Sequence, residues 1–148
     1  QLFGEPKVLA VLPAALPAEE DAAWRALFAS WATPTHAIEV KTEKEVAGLP
    51  ADRAVWLVGR ANRFAKTFDE VEGLALGADD VTALGEKAGR AGHTFALVAR
   101  HPGNASKALG WLFGEPAAAL PGLGRKLPHY GKYSFLGFEG TEPVNVLK

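Results

Sequence analysis

Three segments of the 148-residue chain are apolar at almost every consecutive position: KVLAVLP at residues 7–13, AVWLVG at 54–59 and FALVAR at 95–100. A strand with one wet face alternates apolar and polar residues, so unbroken runs of this length belong to strands covered on both faces. Each run is closed by proline, glycine or a charged residue, the usual punctuation of a buried strand. A sheet with a layer on either side is therefore the frame into which everything else must fit.

The segments between these runs read as helices. Pro17 stands near a helix start, with Glu19, Glu20 and Asp21 in the first turn, where the helix dipole favours anions. Trp24, Leu27, Phe28 and Trp31 then recur at helical spacing as one apolar stripe, which Thr33-Pro34 ends. Asn62 is a candidate cap for a second helix carrying Phe64, Phe68 and Val71 up to Gly73. Asn104 is a candidate cap for a third, with Ala105, Ala108, Leu109, Leu112 and Phe113 on its apolar face and Gly114 and Pro116 ending it. Residues 37–40 and 133–138 read as further short strands, the first followed by a helical turn, and 79–94 as a strand leading into a hairpin. Residues 117–120 add a turn of helix. Strands alternating with amphipathic helices predict one α/β domain over residues 1–148, three-layer and Rossmann-like, with a mostly parallel sheet. The chain opens on Gln1 and contains no Met, as expected of a segment excised from a longer polypeptide.

Bulk electrostatics favours neither nucleic acid nor an anionic membrane, because 16 Lys and Arg face 17 Asp and Glu. No apolar run approaches the roughly 20 residues of a membrane span. The absence of Cys excludes disulfides and thiolate chemistry within the chain.

Catalytic signatures are missing as well. There is no His-Glu-x-x-His, and Gly131-Lys132 lacks the upstream glycine of a phosphate loop. Ser30, Ser106 and Ser134 lie outside any Gly-x-Ser-x-Gly elbow. Gly122-Leu123-Gly124 is half of a dinucleotide fingerprint, but it follows no strand. His36, His93, His101 and His129 form no pair with metal-ligand spacing. No catalytic residue, metal site or cofactor is expected. Asn104-Ala105-Ser106 fits a glycosylation sequon, although capping is the simpler use of Asn104.

Position supplies the remaining signal, since ligands of open parallel sheets gather beyond the carboxyl ends of the strands. Two such ends carry unusual residues: Arg60, Asn62 and Arg63 after one strand, and Arg100, His101 and Asn104 after another. If the two loops converge, the arginines offer forked donors to a carboxylate or phosphate and His101 tunes the charge. If they do not, the asparagines cap helices and the arginines are solvated. The basic and aromatic segment 123–138 reads as a structured loop docked on neighbouring elements or another domain.

The runs VWLVGRANRF, ALVARHPGN and GRKLPHYGKYSFLGFEGTEPVN resemble a non-catalytic α/β domain appended to bacterial proteins related to the membrane alanine aminopeptidase family of zinc peptidases. The resemblance covers residues 54–145, and its third run is the most specific. The zinc ligands and catalytic Glu of that family have no counterpart here. The resemblance implies an accessory domain that packs against, or shapes access to, a peptidase unit elsewhere in the same polypeptide. Its partners are then the other domains of that polypeptide, in a periplasmic or extracellular setting. The residues themselves keep two other readings open: a binding module for a small anion or other small ligand at the strand ends, and a free-standing hydrolase or transferase with an unrecognised site.

Overall fold

The computed structural model describes residues 2–115 and 117–148. Among them ten strands form two sheets. The larger sheet takes up β1 (Lys7–Leu12), β2 (Ala37–Thr42), β3 (Ala54–Val58), β7 (His93–His101), β8 (Asn104–Gly114), β9 (Phe135–Glu139) and β10 (Val144–Leu147) in the order β10-β9-β7-β8-β3-β1-β2. From β2 to β8 neighbouring strands run parallel, and from β8 to β10 they run antiparallel. The smaller sheet is an antiparallel meander of β4 (Leu74–Leu76), β5 (Asp80–Ala83) and β6 (Glu86–Gly89).

The two-residue period of the strands sorts their side chains into two cores. Val8, Ala10 and Leu12 of β1, with Trp56 of β3 and Leu112 of β8, face α1 (Ala18–Trp31) and α2 (Leu120–Lys126). Trp24, Leu27, Phe28 and Trp31 of α1 lie in this core, as their spacing predicts. Leu9, Val11, Val55, Leu57, Leu109, Trp111 and Phe113 face the other way. There they meet Phe68, on a 3₁₀ stretch over Ala65–Glu70, and Val81, Ala83 and Ala88 of the small sheet.

The predicted three-layer, mostly parallel, Rossmann-like fold is thereby corrected: half of the large sheet is antiparallel, and its second face is covered by a small sheet instead of a helical layer. The largest single error is at residues 104–114, which form the strand β8 and not a helix capped by Asn104. His101 pairs with Asn104, so Pro102-Gly103 is a two-residue hairpin turn. Leu109, Leu112 and Phe113 fit a helical stripe, but a buried strand is apolar on both faces and satisfies the same spacing. Gly110 decides between them. A Cβ there would stand 2.3 Å from the ring of Trp56 on the neighbouring strand, which no side chain could accept. Pro116, expected to end the helix, lies outside the described residues. The Asn62 segment likewise forms only its 3₁₀ stretch, which ends ahead of Gly73 at φ +81°. The hairpin expected in 79–94 is β5–β6, turning through Leu84 and Gly85, both at positive φ. Gly122 and Gly124 sit buried in α2, where the Trp31 indole donates to the Gly124 carbonyl at 2.8 Å, so this pair serves helix packing.

Candidate functional site

After β1 the chain leaves the sheet at Pro13 towards the face carrying α1, and after β3 it leaves at Gly59 towards the opposite face. Adjacent parallel strands whose connections diverge in this way leave a crevice at their carboxyl ends, the usual ligand position in open sheets. The crevice here has a volume of about 240 Å³. Pro13, the first turn of α1 with Glu20, Gly59-Arg60, the end of β8 with Glu115, and Arg90 enclose it. Gly59 is required at its position: φ is +99°, and a Cβ would stand 2.9 Å from the Pro13 ring. Its carbonyl accepts from the Trp111 indole at 2.8 Å, which anchors the loop on β8.

Arg60 is the one member of the predicted set that faces this crevice. Its guanidinium lies over the Trp111 ring, 5.7 Å from the centroid, within cation–π range. Its Nε is buried without a hydrogen-bond partner. Burial pushes the Arg60 pKa down, nearby Arg90 adds to that, and Asp69 opposes it. The group stays cationic regardless, since guanidinium titrates far above neutral pH. Among the described residues no carboxylate oxygen comes within 4.0 Å of Arg60 or Arg90. Arg60 and Arg90 thus both line one crevice without a carboxylate partner, the Arg90 guanidinium donating to the Ala78 carbonyl at 2.6 Å, while the exposed Glu20 and Glu115 also line it.

Asn62 and Arg63 belong to the same loop but build it. Asn62 is buried, donates to the carbonyls of Val11 at 3.2 Å and Val58 at 3.0 Å, and accepts from the Phe64 amide at 3.1 Å. It ties the ends of β1 and β3 together below the crevice. Arg63 turns away from it. Its amide donates to Glu43 Oε1 at 2.7 Å, and its guanidinium bonds the carbonyls of Glu43 and Val46.

Arg100, His101 and Asn104 do not join them. Because β7 runs antiparallel to β8, which is parallel to β3, the carboxyl end of β7 lies at the amino end of β3, across the sheet from Arg60. His101 is buried there, with Nε2 2.7 Å from the Pro50 carbonyl and Nδ1 accepting the Gly103 amide at 2.9 Å. Asn104 donates to the Ala51 carbonyl at 2.8 Å and accepts from the amide and hydroxyl of Ser106. Arg100 donates to the Ala105 carbonyl at 3.2 Å. The expected convergence required parallel strands, and the hairpin turn at Pro102-Gly103 removed that condition.

Sequence reasoning missed Arg90, Glu115 and Gly59. Arg90 follows the small sheet, where no apolar period announces a position. Glu115 belongs to the second of two FGEP tetrapeptides, at residues 3–6 and 113–116, which share no surroundings. Gly59 closes an apolar strand and precedes an arginine, and that was the legible signal of a tight exit from the sheet.

Among the described residues no three His, Asp or Glu side chains gather as a metal-holding group, and no helix is long and apolar enough to cross a membrane. No protein-family model matches the chain, and no curated protein matches it either.

Proposed function

We propose that this chain is a non-catalytic binding domain that takes a small carboxylate into the crevice at the carboxyl ends of β1 and β3. The observation carrying the proposal is Arg60, a partly desolvated cation with a buried, unpartnered Nε at the point where the connections diverge. A carboxylate on the terminal nitrogens of the guanidinium would pair its charge through short charge-assisted hydrogen bonds. Glu20 and Glu115 in the lining oppose a dianion and favour an ammonium group. An amino-substituted monocarboxylate therefore suits the crevice better than phosphate does. The resemblance to domains beside a zinc peptidase supports placing such a module in a multidomain protein, where it would pack against the catalytic unit or shape access to it.

Titration with glycine, acetate and inorganic phosphate, followed by amide chemical shifts, tests the reading. Shifts should cluster at Gly59-Arg60 and Gly114-Glu115, with glycine binding best. Arg60→Met should weaken binding about tenfold to a hundredfold, the worth of a charged hydrogen bond of ~1.5–3 kcal/mol. Arg100→Met should leave affinity unchanged. Absence of shifts at millimolar ligand, or equal affinity in Arg60→Met, overturns the assignment. Turnover of an aminoacyl anilide that a point mutation in this chain abolishes would overturn the non-catalytic part.

A further inference from the structure

A larger cavity, about 360 Å³, opens on the helical side of the sheet towards the amino end of β3. Leu2 and Phe3 form one wall, Trp56 and Leu136 the floor, and the turn carrying Tyr130 and Tyr133 the other wall. The lining is mainly apolar and aromatic with a few polar groups, the usual make-up of a small-molecule site, and the volume falls in the same range. Phe3 and Trp56 stand with ring centroids 5.8 Å apart, and Tyr130 and Tyr133 6.1 Å apart.

Two details specify the occupant. Trp56 is only 2% exposed, and its indole N–H has no hydrogen-bond partner. A buried donor left unmet is costly and uncommon in a folded protein. Lys132 lines the cavity with its ammonium group 5.3 Å from the Tyr133 ring centroid, and the ammonium group of Lys148 lies 5.3 Å from the Tyr133 centroid and 5.9 Å from that of Tyr130. Among the described residues neither lysine has a carboxylate oxygen within 4.0 Å. The cavity thus has aromatic walls, an unpaired cation in Lys132, and a lining residue, Trp56, whose unmet donor lies just beneath the surface.

We infer that it binds a planar aromatic carboxylate with a second acceptor on its ring. The ring fills the space between the aromatic walls, the carboxylate meets Lys132, and a small shift of the lining on binding brings the ring acceptor to the Trp56 N–H. This site is separate from the Arg60 crevice, and either can fail without the other.

Three probes dissect it: 4-hydroxybenzoate, benzoate, which lacks the ring acceptor, and 4-hydroxybenzyl alcohol, which lacks the charge. Binding is followed by tryptophan fluorescence and by the indole N–H resonance of Trp56. We expect 4-hydroxybenzoate to bind best and to move that resonance downfield, with both other probes about fivefold to tenfold weaker. Trp56→Phe keeps a ring in the floor and should abolish the preference for 4-hydroxybenzoate over benzoate. Lys132→Gln changes an exposed side chain that does not endanger the fold, and should erase the preference for the acid over the alcohol. Arg100→Met, outside the cavity lining, should leave all three affinities as they were. A Trp56 resonance unmoved by any probe overturns the proposal, as does a Lys132→Gln variant with unchanged preferences.

Discussion

The loops at Arg60–Arg63 and Arg100–Asn104 look alike as sequence: an apolar strand, an arginine, then an asparagine within four residues. In the folded chain they are opposites. The first leaves a parallel strand and parts from its neighbour's connection, so it borders a crevice and leaves Arg60 without a partner. The second turns back at once in a hairpin, and His101, Asn104 and Arg100 all bond nearby backbone carbonyls. The same residue types make a site where strand direction leaves a gap, and a clasp where it does not.

Trp111 offers the strongest way to break this contrast. It is buried beneath Arg60 and holds the Gly59 carbonyl, so it supports the crevice and nothing in the hairpin clasp. Trp111→Ala should cost about 3–5 kcal/mol in denaturant unfolding, from lost burial together with the cavity left behind. A cost below about 1 kcal/mol would mean that the support beneath Arg60 is not part of the core. The asparagines give the next largest effect. Asn62→Ala strands two strand-end carbonyls and an amide in a buried setting, and should cost about 2–3 kcal/mol. Asn104→Ala releases groups that water can reach, and should cost about 1 kcal/mol or less. Equal costs for the two would remove the distinction between latch and surface clasp.

KVLAVLP, AVWLVG, FALVAR and the Trp24–Trp31 stripe each form the predicted element, so much of the sheet's centre was legible. The antiparallel pairing was not, because β8, which sets it, is buried on both faces over 109–113. Leu109, Leu112 and Phe113 then satisfy a helical spacing as well as a strand, and only Gly110 and the Pro102-Gly103 turn speak against the helix. That one ambiguity carried into the site: with residues 104–114 taken as a helix, His101 falls beside Arg60. Arg60 was legible from its place after a buried strand. Its lack of a partner depends on which groups other segments bring near, and no local pattern records that.

Arginine substitutions give a smaller and more diagnostic contrast. Arg63 donates to two carbonyls of the 43–46 segment, so Arg63→Met should cost about 1 kcal/mol of stability. Arg60 buries a charged group without a carboxylate, so Arg60→Met should leave stability within about 0.5 kcal/mol or raise it, while ligand affinity falls. A residue whose loss harms binding and spares the fold is what a site predicts. A clasp predicts the reverse.

The smallest effect comes from one carboxylate at each edge of the sheet. Glu45, beyond the end of β2 on the crevice side, accepts from the Thr42 amide and hydroxyl, and these bonds hold its carboxyl below the usual range. Asp52, just before β3 on the clasp side, is held low by the guanidinium of Arg53. A carboxyl whose folded pKa is depressed contributes stability that is fully present above its unfolded pKa and is lost as pH falls through the folded value. Both contributions should therefore disappear on acidification below the ordinary carboxylate range, and neither should change between pH 6 and pH 8. Because both groups are fully exposed, the loss will be slight and salt-sensitive at Asp52, whose partner is an ion, and less so at Glu45, whose main partners are neutral. Following the two carboxyl resonances by pH titration in low and high salt checks this directly. If salt moved both apparent pKa values equally, the hydrogen-bonded turn at Thr42 would not be what holds Glu45.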